Sequence, residues 1–222
     1  MDAHVERGAT DAEFWDAELQ RYLPDPVAAL AEGRDYVCCP ICWVMGRAPF
    51  AYFAGLAKRW AEDEGLRRVV CASGGFCHHH TWQLDKLQSQ KAVAIAFVQV
   101  LGAVSDPSLP PEPCPVCRLQ GLMQAQLLPA FLDWLAAPEA QEEYPSLFGL
   151  CYPHHRAALA LGPDGGARSV LVEAQGAQTQ ALIEYLQGFL AKSSPQDRPT
   201  RTGDEQHAPR RALLKTAGNE DR

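Results

Sequence analysis

The chain has 222 residues, 47% of them hydrophobic and 21% charged, enough for one sizeable domain or two small ones whose core needs no staples. Its net charge of −7 argues against general nucleic-acid binding, which relies on clustered Lys and Arg to neutralise phosphates. The longest apolar run, Ala92 to Val104, is about 13 residues and falls short of the roughly 18 needed to span a bilayer, so no membrane association is expected.

Helical periodicity dominates along the chain, and strand alternation is nearly absent. Thr10 is placed to cap a first helix with Phe14, Trp15, Leu19 and Tyr22 on its apolar side, ended by Pro24 and Pro26. A short helix over Val27 to Gly33 follows. Pro49 suits the first turn of a helix reaching about Glu64, with Phe50, Phe53, Leu56, Ala57 and Trp60 at core spacing. Gly65 to Gly75 reads as a connector, His78 to Val104 as one long helix, and Asp106 to Pro113 as a proline-rich linker. Leu119 to Ala136 is helical and Pro138 to Gly149 connects onward. The helix from Tyr152 breaks at Gly162 to Gly166 and resumes over Arg168 to Lys192. From Ser193 on, the polar, proline-containing tail is expected to be disordered, with helical character only around Arg211 to Thr216. These boundaries divide the chain into an N-terminal helical segment (1–33), two helical repeats (34–106 and 107–192) packed as one domain, and a tail (193–222).

The repeats carry the most specific signal. Cys39-Pro40-Ile41-Cys42 recurs about 75 residues later as Cys114-Pro115-Val116-Cys117, and each is followed by a second pair, Cys77 with His80 and Cys151 with His154. A C-x2-C pair plus a C-x2-H pair supplies three thiolates and one imidazole, the ligand set of a closed tetrahedral zinc site. Matching the copies sets His78 opposite Tyr152, His79 opposite Pro153 and His155 opposite Thr81, which leaves Cys39, Cys42, Cys77, His80, Cys114, Cys117, Cys151 and His154 as the eight ligands. Two zinc ions are expected, with an iron-sulfur cluster as the alternative.

Each copy is expected to close on itself. A helix of about 17 residues carries the chain roughly 25 Å. A dozen connector residues can span up to about 40 Å and bring it back. The fold expected is therefore an all-α bundle of two pseudo-repeats, each clamped by its own Cys3His site, with the ion pinning helix N-termini together. Gly75 and Gly149, each two residues before a ligand cysteine, are expected to turn with positive φ.

Cys38 and Cys71 have no counterpart in the other copy and read as small buried hydrophobes; the sharper readings are a replacement ligand, a reversible disulfide or an enzyme nucleophile. No G-x-S-x-G, phosphate loop, H-E-x-x-H or EF-hand loop is present, so no catalytic set is visible. The polar, acidic start of the chain lacks a basic segment followed by an apolar run, which gives a cytoplasmic expectation, and there paired cysteines more often hold metal or do redox chemistry. The nearly all-apolar stretch after Gln90 is expected in the bundle centre or at a dimer contact.

From Cys39 to Cys42, Gly75 to Trp82, Cys114 to Cys117 and Gly149 to His154, the chain resembles a family of uncharacterised prokaryotic helical proteins with two such modules. The resemblance covers roughly residues 34–190 and implies a helical, metal-binding, cytosolic protein, with no activity to carry over. The function expected is that of a metal-stabilised interaction or accessory factor with a protein partner or a second copy of itself. A redox or metal-sensing protein is the alternative.

Overall fold

The computed structural model describes residues 3–34, 36–104 and 112–218, with side chains from residue 12 onward. Every regular element among them is helical, as the periodicity predicts: α1 (Ala3–Tyr22), α2 (Pro26–Arg34), α3 (Pro40–Glu62), α4 (Glu64–Ala72), α5 (His78–Leu87), α6 (Gln90–Ala103), α7 (Pro115–Leu135), α8 (Pro138–Glu143), α9 (Tyr152–Ala160), α10 (Gly165–Ala191) and α11 (Gly203–Ala217), with short 3-10 turns at Tyr144–Ser146 and Arg198–Thr200. The expected linker at Asp106 to Pro113 lies largely outside the described residues.

The chain forms two compact units, each built from two separate stretches: Met1–Asp25 with Met45–Gln124, and Pro26–Val44 with Ala125–Arg222. In the first unit Tyr52, Phe53, Leu66 and Leu84 are fully buried, and Tyr52 and Phe53 meet Phe76 edge to face. Arg59 binds both carboxylate oxygens of buried Glu18, at 2.6 and 2.9 Å, and reaches Tyr22 and Asp63 as well, so a desolvated ion pair ties α1 to the end of α3. In the second unit Phe131, Leu135, Tyr144, Leu150 and Leu171 form the core, and the Tyr144 hydroxyl accepts the Leu150 N–H, which holds the segment leading to Cys151.

Both long helices start earlier than their apolar periodicity suggests. Pro40 and Pro115 occupy the first helical position, where a missing N–H costs nothing, so α3 and α7 begin inside the C-P-x-C motifs. Pro49 and Pro129 then lie within helices. Pro49 cannot donate to Met45 O, and the buried Gln120 amide approaches that carbonyl instead, at 3.5 Å. α1 runs through Thr10, which is therefore not its cap.

Three more expectations are corrected. The connector Gly65 to Gly75 is mostly helix: Asp63 caps α4 by accepting the Leu66 N–H, and Leu66, Val69 and Val70 are buried at helical spacing. The helix expected over His78 to Val104 breaks at Gln88, which is extended; Ser89 accepts the Ala92 N–H and starts α6, while the Gln88 amide is held by Phe53 O. The tail is structured through the 3-10 turn at Arg198–Thr200 and through α11. Thr202 and Glu205 form a reciprocal capping box, Glu205 pairs with Lys192 at 2.8 Å, and Lys215 is buried against Phe148 O. The tail has only two bulky apolar residues, Leu213 and Leu214, and neither is buried, so its docking through Ala208 and Lys215 was invisible to a composition argument. The break at Gly162 to Gly166 stands where it was expected, between α9 and α10.

Gly149 has φ +73°, and a Cβ there would collide with the Gln178 amide, which is itself held by Tyr144 O and Leu147 O. Gly149→Ala is expected to destabilise the fold by about 1–3 kcal/mol, through positive-φ strain and the displaced amide. Gly102→Ala, on α6 with open space around it, is expected to stabilise by about 0.5–1 kcal/mol. Thermal or urea unfolding of the two variants checks both signs.

Candidate metal centres

All four ligand pairs use one local device. Cys39, Cys77, Cys114 and Cys151 each stand immediately before a helix, and their carbonyls accept the N–H four residues on, from Trp43, Thr81, Arg118 and His155, at 2.8–2.9 Å. The second member of each pair, Cys42, His80, Cys117 or His154, sits three residues later in the first turn. This is the spacing of a capping box, with ligand atoms in place of the usual hydroxyl and carboxylate. Gly75 and Gly149 adopt the expected positive φ, at +101° and +73°, and deliver the chain to Cys77 and Cys151.

The structure brings all eight sequence-predicted residues into two clusters, but it exchanges the partners. Cys39 and Cys42 meet Cys151 and His154 in the second unit, whereas Cys77 and His80 meet Cys114 and Cys117 in the first. Each cluster thus takes its C-x2-C pair from one copy and its C-x2-H pair from the other, and the expectation that each repeat closes on itself is wrong. The reason lies in the connector. α3 has 23 residues and rises about 34 Å. α4, with nine residues, rises only about 14 Å. The next residues turn tightly, with Gly75 N donating to Val70 O, so the connector is not the extended stretch that closure within one copy assumed.

Within the Cys39 cluster, His154 Nδ1 lies 3.4, 3.3 and 3.3 Å from the sulfurs of Cys39, Cys42 and Cys151, and the Cys42 and Cys151 sulfurs are 3.6 Å apart. The Cys114 cluster repeats this geometry: His80 Nδ1 is 3.2, 3.5 and 3.3 Å from Cys77, Cys114 and Cys117, with 3.7 Å between the Cys77 and Cys117 sulfurs. A tetrahedral ion with bonds of about 2.3 Å to sulfur and 2.0–2.1 Å to nitrogen has edges of about 3.8 Å (S–S) and 3.5–3.6 Å (S–N). The four donor atoms of each cluster therefore stand a few tenths of an ångström inside the shell of one such ion. Both imidazoles offer Nδ1. In His80 the proton then belongs on Nε2, which is buried without a hydrogen-bond partner.

The two clusters differ in exposure. All four members of the Cys39 cluster are buried, whereas Cys117 is exposed and Cys77 and Cys114 are half-buried. Burial pushes the Cys39 and Cys114 thiols up, and burial together with the crowding of Cys114 and Cys77 pushes Cys117 up to about 12. Cys151 is held far below the usual thiol range, because the Cys39 and Cys42 thiols donate to its sulfur. Burial, aided by His79, pushes the His80 imidazole down to about 4. With only protons at the centre, then, crowded sulfur charge is tolerated on few atoms. A dication reverses that balance, because it lets every sulfur ionise.

The residues outside the matched set stay outside the clusters. Burial pushes the thiols of half-buried Cys38 and Cys71 upward, the opposite of what an activated nucleophile needs. His155 Nε2 is within 3.2 Å of Leu171 O, and His78 meets the Trp82 ring. What the sequence reading missed is Lys215 with Gln178, which brace the segment before Cys151; the Thr202-x-x-Glu205 capping signature was the available clue to α11.

Fold and site together define a class: an all-helical chain with two Cys3His groups at helix N-termini, exchanged between two sequence copies. Comparison with protein-family models, with curated proteins and with solved structures returns no match.

The exchanged pairing has a consequence that needs no metal. On oxidation of the metal-free protein, disulfides joining the two motif types are expected as Cys42–Cys151 and Cys77–Cys117, whose sulfurs are already within 3.7 Å. Peptide mapping that instead finds Cys42–Cys77 or Cys117–Cys151 would contradict the arrangement.

Proposed function

We propose that the chain is a structural zinc protein that binds two ions and serves as an interaction or accessory factor for a protein partner in a reducing, cytoplasmic setting. The observation that carries this reading is the convergence of four donor atoms per cluster, all within 4.8 Å of one another, as one ion's coordination shell requires. A cluster cofactor would place its ligands on different irons and spread them further. Three thiolates and an imidazole suit zinc, and four protein ligands leave no position for a catalytic water, which supports a structural role. No helix among the described residues is long and apolar enough to cross a membrane. Ile95, Val98 and Leu101, spaced three apart on α6 and at least half exposed, support a protein contact on that face, with a second copy as the alternative occupant. The resemblance to two-module helical proteins belongs to the same proposal.

A second reading attaches to the Cys114 cluster alone. Its exposed Cys117 supports redox or metal sensing there, since an accessible thiolate ligand can be oxidised and release its ion, while the buried Cys39 cluster stays closed.

Metal analysis of anaerobically purified protein tests the proposal. About two zinc per chain and no visible absorption are expected of two four-ligand sites. Brown protein absorbing near 400 nm would replace zinc with iron-sulfur. Double variants test the pairing: Cys39→Ser with Cys151→Ser should keep about one ion, whereas Cys39→Ser with Cys77→Ser should lose both, because it opens both sites.

Acid should weaken binding. The raised thiols of Cys114 and Cys117 hold protons at neutral pH in the metal-free state, and the ion must displace them, while the His80 imidazole, lowered to about 4, is already neutral. Apparent zinc affinity is therefore expected to fall about tenfold per pH unit for each thiol proton displaced, as pH drops from 8 to 6. A competition titration with a chromophoric chelator measures it, and a pH-independent affinity would contradict the thiolate assignment.

A further inference from the structure

Within the second unit, α10, α11 and the segment Pro145–Phe148 enclose a cavity of about 330 Å³, in the size range of small-molecule sites. No acidic residue lines it, in a chain whose net charge is −7. Two cations do. Lys215 is 3% exposed, and its Nζ donates to Phe148 O and Gln178 Oε1, each at 2.8 Å. Both acceptors are neutral, and an ammonium has a third N–H. A buried ammonium is ordinarily paired with a carboxylate, and none among the described residues bonds this one. The Arg211 guanidinium lies beside the Tyr185 ring and binds Asp204 at 2.8 Å through Nη1, yet its Nε is buried without a partner. The cavity wall therefore carries two cationic side chains and no acidic one.

The rest of the lining narrows the anion's chemistry. Leu147, Ala181 and Leu182 offer apolar surface for a hydrocarbon body. Arg211 and Lys215 lie in the last two turns of α11, where the helix dipole turns its negative end, and this disfavours a doubly charged oxyanion. We propose that this cavity is a binding site for a small organic monocarboxylate, its carboxylate held between Lys215 and Arg211 and its apolar body against Leu147, Ala181 and Leu182.

Phenylacetate is a suitable probe, added to the full, metal-loaded chain and followed by calorimetry and by amide NMR shifts. Saturable binding is expected, with shifts centred on Phe148, Ala181 and Arg211. Phenethylamine, of like size and opposite charge, should not bind, and inorganic phosphate should bind more weakly than phenylacetate. Arg211→Gln and Lys215→Met should each weaken phenylacetate at least about tenfold, the loss of one charge-assisted hydrogen bond. Ala181→Phe should abolish binding by filling the cavity, without touching the Lys215 bonds. Should Lys215→Met disturb folding or metal content, Arg211→Gln and Ala181→Phe decide the matter. No saturable phenylacetate binding, equal binding of phenethylamine, tighter binding of phosphate, or full affinity in Ala181→Phe would each overturn the proposal.

Discussion

Four helix N-termini meet in pairs at two points, and the arrangement of the chain follows from that meeting. Each ligand pair places one donor just before a helix and the second in its first turn, so the geometry of a single helical turn sets the donors on one side. Two such turns facing each other make a tetrahedron. Pro40 and Pro115 start α3 and α7 at the motif, and Gly75 and Gly149 turn the chain into α5 and α9. The glycines and prolines of the motifs are thus as much a part of the sites as the sulfurs.

The exchange of ligand pairs between copies changes what the sites do. A site closed within one copy would fasten residues about 40 apart in the chain. The Cys39 cluster instead brings residues 39–42 to residues 151–154, and an ion there would close a loop of more than 100 residues. Cross-links over longer loops remove more entropy from the unfolded chain, in the simple polymer picture. Each unit is assembled from two distant stretches, and each contains one complete cluster. In the second unit the cluster joins the two stretches, Cys39 and Cys42 coming from one and Cys151 and His154 from the other; in the first unit all four members lie within Met45–Gln124.

Charge shapes both units in different ways. In the first, Glu18 and Arg59 desolvate together as a bidentate pair. In the second, Lys215 is buried on neutral acceptors within reach of the Cys39 and Cys151 sulfurs. A closed centre of three thiolates, a neutral imidazole and a dication would carry one net negative charge, so a nearby cation is favourable there. The tail helix that supplies Lys215 is part of the second unit, and a shortened chain would lack that support.

The eight ligand atoms were legible because cysteine and histidine spacing reports coordination chemistry directly, and because two copies filter each other: His78, His79 and His155 dropped out for want of a counterpart. The helical class was equally legible from periodicity. Boundaries were not, wherever a polar cap or a proline decided them, as at Asp63, Gln88 and Pro115. By itself the sequence determined which atoms converge and at what local geometry, since a C-x2-C or C-x2-H pair needs only one turn of helix. Which pairs come together was decided by tertiary structure. Contour length allowed both pairings, and the choice depended on whether residues 64–75 are extended or wound into α4, which burial of Leu66, Val69 and Val70 against the rest of the first unit determines.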